Sequence, residues 1–520
     1  MSKNWDAIII GAGHNALAAA VHLGTKGWKV LVLEKADVAG GAVKTTEATI
    51  PGFYHDLYAM NLSMFAGSPF YAKHKNLLDD AGLSFAGAGK TFVSVFPDNT
   101  WLGVDSDLGK TSENISRLSR ADAEKWKQMV ADFPLDAKYI FPVLGTPIPS
   151  FAFVKILWRM WREKGIGHCM NMAKLMVSSP RNWLNANFKN DKLKAMMAAW
   201  GMHLDFGPDV AGGALFPYLE SMACQSFGMA LGQGGANTII RAMQTVIEAN
   251  GGEVRVNSNV EKIITDNDRA LGVLLNDGTR INAGKAVIAC VHPKALYGKL
   301  LGLKDLPPPA KLRPGPATMM IHMAMDEMPK WKAGTEPGQY AYVHIAPDFE
   351  YMANVYTQAM DGLLPEKPIL VVGQPTVFDK TRAPDGKHTL WVQVRALPYN
   401  VKGDSAGKVK AGEWDDIKED YADRAMEILE QYAPGISQHV IARKVLSPLD
   451  LERDNPNLVH GDSLSGSHHI DQFFLFRPAF GYSRWKTNVR GLYNIGASTW
   501  PGAGTGAGSG FMLACTLAGE

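Results

Sequence analysis

Residues Ala7 to Ile10 form a short uninterrupted apolar run, and Gly11-Ala12-Gly13 follows at once. A strand buried on both faces reads this way. Few arrangements end such a run in closely spaced glycines. In the one that fits, Gly11 permits a tight turn, Gly13 lets the backbone approach a pyrophosphate, and Ala16 is the small residue that brings a helix close to the strand. That helix is predicted over 15–26, stopping before Gly27, and its amino terminus directs partial positive charge at the turn. A second strand over 29–33 ends at Glu34, about 20 residues past the glycines, where a carboxylate accepts from ribose hydroxyls. Isolated glycine patterns are common, but strand, turn, helix, strand and acid in this order predict a dinucleotide site. The acid opposes a 2′-phosphate, so FAD or NAD fits better than NADP.

The far end of the chain carries a second glycine-rich segment, Gly491-Leu492-Tyr493-Asn494-Ile495-Gly496-Ala497, continuing through Trp500-Pro501-Gly502-Ala503-Gly504. A nicotinamide enzyme needs only the first segment. A long flavin dinucleotide often needs both, one for the adenosine half and one for the isoalloxazine. Between them, Gly40-Gly41-Ala42-Val43-Lys44-Thr45 follows Glu34 closely. This double glycine resembles the pattern of the phytoene desaturase and flavin amine oxidase superfamily of FAD proteins. Gly-Ala-Gly-His-Asn-Ala with Gly-Gly-Ala-Val is similar to the branch related to carotenoid desaturases and isomerases, which includes the pyridine nucleotide-disulfide oxidoreductase domain-containing protein 2 group. Gly234-Gly235-Ala236-Asn237 before a helix, the runs at 254–256, 260–263 and 272–274, and Asp471-Gln472-Phe473-Phe474 with Arg477-Pro478 extend the resemblance.

The resemblance implies an α/β fold: a Rossmann-type FAD-binding domain from residues 1–85, 226–300 and 446–520, and a discontinuous α+β substrate or cap domain from 86–225 and 301–445. It implies tight, non-covalent FAD held by Gly11, Gly13, His14, Asn15, Ala16, Glu34, Lys35, Gly40, Gly41, Ala42, Gly496, Ala497, Gly502 and Gly504, with Val260 reaching the adenine through its backbone. Two positions depart from the pattern. Ala42 stands where many desaturases have arginine, removing a cationic phosphate contact. Trp500 stands where histidine often precedes the glycines; it either walls the substrate cavity or is a packing residue at a turn.

The implied chemistry is desaturation, saturation or isomerisation of carbon–carbon bonds in a hydrophobic lipid or isoprenoid, with oxygen or a quinone as open choices of electron acceptor. An amine or alcohol oxidase on the same fold, and a flavin-holding interaction protein with little turnover, remain alternatives. Candidate proton-transfer groups are His55 beside Asp56, His203 with Asp205, His460, and the His468-His469 pair. His55 comes first because its segment is expected near the flavin ring. A histidine suits the role because its pKa lies near working pH. No metal-ligand spacing is present. The methionines at 196–197, 202, 319–320 and 323 read as core filler or as an adaptable cavity lining.

A chain of 520 residues exceeds one ordinary core, and 46% hydrophobic with 20% charged residues describes a globular protein. The net charge of +2 gives no reason to expect nucleic acid. Cys169, Cys224, Cys290 and Cys515 are widely spaced and read as buried thiols in a reducing compartment. There is no secretory signal and no apolar stretch long enough to span a bilayer, so the expected location is cytoplasmic. Residues 151–164 place Phe151, Val154, Leu157, Trp158 and Trp161 on one helical face, with Lys155, Arg159 and Arg162 toward the other. Two readings stand: a cap helix packing its stripe inward, or peripheral contact with a membrane. Helices are also predicted over 121–132 and 414–432, and strands over 340–345 and 389–395. Oligomeric state is not legible.

Overall fold

A computed structural model describes residues 4–520. The opening apolar run is the strand Trp5–Ile10, with Ile8 and Ile9 fully buried. It lies parallel to Val30–Leu33 on one side and to Arg280–Ala289 on the other. Glu253–Arg255 adds to the outer edge of Val30–Leu33. Arg280–Ala289 has two neighbours on its far side. Its first half takes the antiparallel hairpin Val260–Asp266 and Arg269–Leu275, and its second half pairs in parallel with Leu492–Asn494. A strand from the very end of the chain therefore reaches the sheet that the first residues begin.

The helix His14–Thr25 is nearly all small and buried residues, which lets Thr238–Ala249 and Gly508–Ala518 pack against it. The second contact is close enough to demand glycine: a Cβ on Gly510 would lie 1.8 Å from the Asn15 carbonyl oxygen.

A second sheet runs in the order Val440–Leu446, Ala317–Met325, His388–Leu397, Ile369–Gly373, Tyr342–Ile345, Lys90–Val95, Trp101–Asp105, antiparallel except where Tyr342–Ile345 meets Lys90–Val95. Alternation along its strands separates two faces. Met319, Ile321 and Met323 join the core under the helix Trp414–Tyr432, whereas Met320, Tyr342 and Trp391 join the core shared with the helices Asp191–Met202 and Leu215–Phe227. The methionines divide accordingly. Met196, Met197, Met202, Met319 and Met323 are core residues outside the main cavity, and of that set Met320 alone lines it.

The helix predicted over 121–132 extends as Arg120–Leu144, past Pro134 and Pro142, and packs beside the segment Phe151–Val177, a helix broken by a kink at Gly165 (φ +75°). The inward-packing reading of that second helix is corrected. Its stripe faces out, with Phe151 85% and Trp161 52% exposed, while Ile156 and Met160 are the residues that turn inward. No helix among the described residues is long and apolar enough to cross a membrane. The cysteines are unpaired; Cys224 and Cys290 are buried, but Cys169 and Cys515 are only partly so.

Candidate active site

The two glycine segments meet in one cavity of about 1500 Å³ that the second sheet also lines. Typical small-molecule sites are about 300–1,000 Å³, so this one has room for a large cofactor together with a substrate. At its dinucleotide end Gly11 has φ +89°, and a Cβ there would press on the Cys290 carbonyl at 3.0 Å. Gly13 is different. Its backbone is extended, φ −69° and ψ 162°, and no described residue beyond its chain neighbours would lie within 4 Å of an added Cβ. That emptiness faces the cavity at the head of the helix, where backbone N–H groups and the helix dipole favour an anion.

Glu34 lines the cavity and also ties the turn together, accepting from Ala12 N at 2.8 Å and Ala36 N at 3.0 Å. A carboxylate has about four lone-pair sites, so ribose hydroxyls still find acceptors. Gly40 donates its N–H to the Ala12 carbonyl at 3.0 Å, and a Cβ on Gly41 would lie 3.3 Å from the Gly13 α-carbon. His14, Asn15, Lys35, Gly41, Ala42 and Val260 reach the cavity wall. Desolvation pushes His14 down to about 4, so it is neutral. Ala16 and Gly40 do not reach the wall. Ala16 is fully buried, and Gly40 locks the double glycine onto the first turn; both act by packing.

At the other end Gly496, Ala497 and Gly504 line the cavity, and two buried side chains shape their segment. Arg477 donates to the carbonyls of Ala497 at 2.7 Å and Ser467 at 2.9 Å. His468 Nε2 accepts from Ala503 N at 3.1 Å. Gly502 is off the wall because it faces this histidine: a Cβ would come within 2.6 Å of the ring. Trp500 is also off the wall. It is fully buried, donates Nε1–H to the Thr146 carbonyl at 2.9 Å, and packs on Phe473 and Phe474. A flat apolar residue there fills core, and the reading of Trp500 as a cavity wall is corrected.

The first-choice histidines are corrected in the same way. His55 is buried behind the cavity, its Nε2 2.9 Å from Thr49 Oγ1 and its ring against His322; burial, with Arg382 nearby, lowers it to about 4. His460 stacks on Tyr399 with ring centres 4.6 Å apart, away from the lining. His469 contacts the Asp205 carbonyl at 2.8 Å. Of the histidines singled out from sequence as proton-transfer groups, only His203 lines the cavity. Its Nε2 is buried without a partner, and burial with neighbouring Arg395 holds it well below the ordinary histidine range. Burial thus favours its neutral form.

Two charged residues of the cavity's substrate end, Glu220 and Arg395, were not foreseen from sequence. Glu220 is the one acid on the apolar helix Leu215–Phe227, and it makes no hydrogen bond to the other described residues; burial pushes its carboxyl up to about 7. Arg395 shares a strand face with Trp391 and Gln393 and has no carboxylate partner among the described residues. A lone acid in an apolar helix and a lone arginine at every second position of a predicted strand were the available signals.

Glu220 yields a pH prediction. A carboxyl raised in the folded state binds its proton more tightly folded than unfolded. Stability therefore falls as pH rises from the ordinary carboxyl range to about 7. Glu220→Gln is expected to match the unaltered protein near about pH 5 and to exceed it near about pH 8 in thermal melts. Parallel curves for the two proteins would remove Glu220 from the cavity's titration.

One group lies outside this cavity. His22, Cys515 and Glu520 offer atoms within 4.8 Å of one another, but Lys26 and Lys73 both pair with Glu520 and supply the positive charge there.

The chain resembles known proteins. The sequence model for flavin containing amine oxidoreductase matches residues 17–441. The chain belongs to this family. It binds FAD as the family does, and the residues just described fit that group: open space at Gly13, a carboxylate at the strand end, and a second glycine segment across the cavity. Pyridine nucleotide-disulfide oxidoreductase domain-containing protein 2 of Mus musculus is 27% identical over 97% of this chain and 91% of its own length. The neurosporene-forming phytoene desaturase of Rhodobacter capsulatus is 28% identical, and a limonene dehydrogenase component of Castellaniella defragrans 26%, each over 99% of this chain and 95% of the relative. A solved putrescine oxidase variant shares the fold, with TM-score 0.60 and 15% identity over 99% of this chain and 98% of that one. This member of the family is an oxidoreductase of α/β architecture.

Proposed function

We propose that this flavoprotein oxidises, reduces or isomerises carbon–carbon bonds of a hydrophobic lipid or isoprenoid. The observation that carries the reading is the substrate end of the cavity, built from Trp200, Leu219, Met229, Met320, Tyr342 and Trp391, with Arg395 as its fixed charge. FAD supplies hydride transfer when bound. The chain's part is to exclude water with aromatic and sulfur side chains, to orient an apolar substrate, and to receive a proton. Glu220, held near 7, is matched to proton transfer at working pH. Arg395 suits an anionic or neutral substrate better than one that must bind as an ammonium. Relatives named for limonene and phytoene support the same choice. Anaerobic mixing of the holoenzyme with unsaturated lipids and isoprenoids should bleach the flavin absorbance, or isomerise a polyene without net bleaching. Bleaching by amines alone would overturn the proposal.

We also propose, as part of this reading, that the helical segment 151–164, before the kink at Gly165, rests on a membrane surface. Phe151, Trp158 and Trp161 project outward beside Lys155 and Arg162, a combination suited to an anionic interface, whereas Arg159 turns over the Tyr139 ring. Exposed Phe227 and Phe141 belong to the cavity wall, and Phe133 contacts both rings, so an apolar rim leads inside near this helix. Sedimentation with phosphatidylglycerol vesicles should capture the holoenzyme, and Trp158→Ala with Trp161→Ala should release it with flavin content unchanged. Equal sedimentation of both proteins would refute the contact.

A further inference from the structure

We propose that Arg395 receives the carboxylate of an amphipathic acid whose apolar chain lies along the Trp391 end of the cavity. This rests on the hydrophobic-substrate reading above and narrows it. Arg395 is 5% exposed, yet it lines the cavity together with Thr318 and Ser463. Its Nε and Nη2 are committed to the backbone, donating to the carbonyl of Met202 at 3.4 and 3.2 Å and, from Nη2, to that of His203. Its Nη1 meets side-chain hydroxyls instead, 3.1 Å from Ser463 Oγ and 3.4 Å from Thr318 Oγ1. Both hydroxyls can rotate to donate to an incoming oxygen.

Among the described residues the guanidinium has no adjacent counter-ion. The acids whose field it feels are Asp462 and Asp205. Asp462 is filled by the N–H groups of Gly315, Leu464 and Gly466 at 2.7–2.8 Å, and Asp205 accepts the Tyr356 hydroxyl at 2.8 Å. A buried charge without a contact partner is costly, and a ligand anion would complete it. The neighbourhood holds further unmet polar atoms, since His203 Nε2, Trp200 Nε1 and Trp391 Nε1 are buried without partners. One guanidinium with two hydroxyls matches a single negative charge, which favours a carboxylate over a diphosphate. Along His388–Leu397, Trp391, Gln393 and Arg395 stand on one face at about 6.7 Å per step. A chain anchored at Arg395 therefore passes from charge to amide to indole, toward Met320 and Tyr342.

The test is equilibrium binding to the holoenzyme, read by perturbation of the flavin spectrum and by tryptophan fluorescence, with oleate, methyl oleate, oleyl alcohol and oleylamine. Oleate is expected to bind at least tenfold tighter than its ester and alcohol, with the amine weakest. Arg395→Met should erase that preference and leave the ester's affinity within about twofold. If that variant does not fold, Thr318→Val with Ser463→Ala keeps the backbone clamps and should weaken oleate severalfold without touching the ester. Equal binding of acid and ester in the unaltered protein, or a preference that survives in Arg395→Met, refutes the carboxylate site while the hydrophobic-substrate reading stands. Failure of all four to bind refutes the carboxylate site, while the broader reading is decided separately by flavin bleaching with isoprenoids and amines.

Discussion

Gly13→Ala is expected to give a folded protein that has lost most of its affinity for FAD. The reason lies in what surrounds the residue. At φ −69° and ψ 162° any L-residue is at ease, and an added methyl meets no described residue beyond its chain neighbours within 4 Å. Folding therefore has nothing to lose. The space it enters is the cavity at the head of His14–Thr25, where a pyrophosphate must approach the backbone. A loss of tenfold or more, about 1.4 kcal/mol or above, is expected in a flavin titration of the apoprotein, with an unchanged apoprotein melting curve. Gly40→Ala makes the opposite case. Its methyl would sit 2.3 Å from the Val43 carbonyl at φ +135°, so folding and binding should fall together. If Gly13→Ala keeps its flavin, or loses its fold, the assignment of that space to the cofactor is wrong.

These two glycines also show what was legible beforehand. Closely spaced glycines after an apolar run have local causes, and strand, turn, helix and acid follow from them in order; the structure places Trp5–Ile10, His14–Thr25 and Val30–Leu33 where the pattern put them. The helix Trp414–Tyr432 and the strand His388–Leu397 were legible from periodicity for the same reason. What sequence could not weigh was which polar residues face inward. His55 and His460 are near their expected segments in the chain, but one ring turns behind the cavity and the other stacks on a tyrosine. Glu220 and Arg395 gain their character from burial against residues far away in sequence, and no local pattern encodes that. Trp500 is the same problem reversed: its position beside the glycines was readable, but its indole points away from them, toward Thr146.

Replacing Arg382 should destabilise the protein far more than removing any exposed charge. Its guanidinium is wholly buried between two buried carboxylates, with Nη1 2.5 Å from Asp56 Oδ2 and Nε 3.1 Å from Asp379 Oδ2, while Nη2 donates to the Gly232 carbonyl at 2.8 Å. Each acid has a second task. Asp56 accepts from Ala236 N and the Thr45 hydroxyl, both at 2.7 Å, and Asp379 accepts from Gly234 N at 2.6 Å and Gln233 Nε2 at 2.8 Å. The cluster thus pins the turn before Thr238–Ala249 to the double-glycine segment and to a loop of the second sheet. Arg382→Met leaves two buried anions facing each other, and breaking a buried pair this way costs about 3–5 kcal/mol. The urea midpoint should drop accordingly. Asp56→Asn made in the Arg382→Met background should recover part of the loss, because it removes one of the stranded charges. Strict additivity of the two changes would mean that the charges do not interact, and the cluster would then hold the turn through its hydrogen bonds to Ala236 and Gly234 alone.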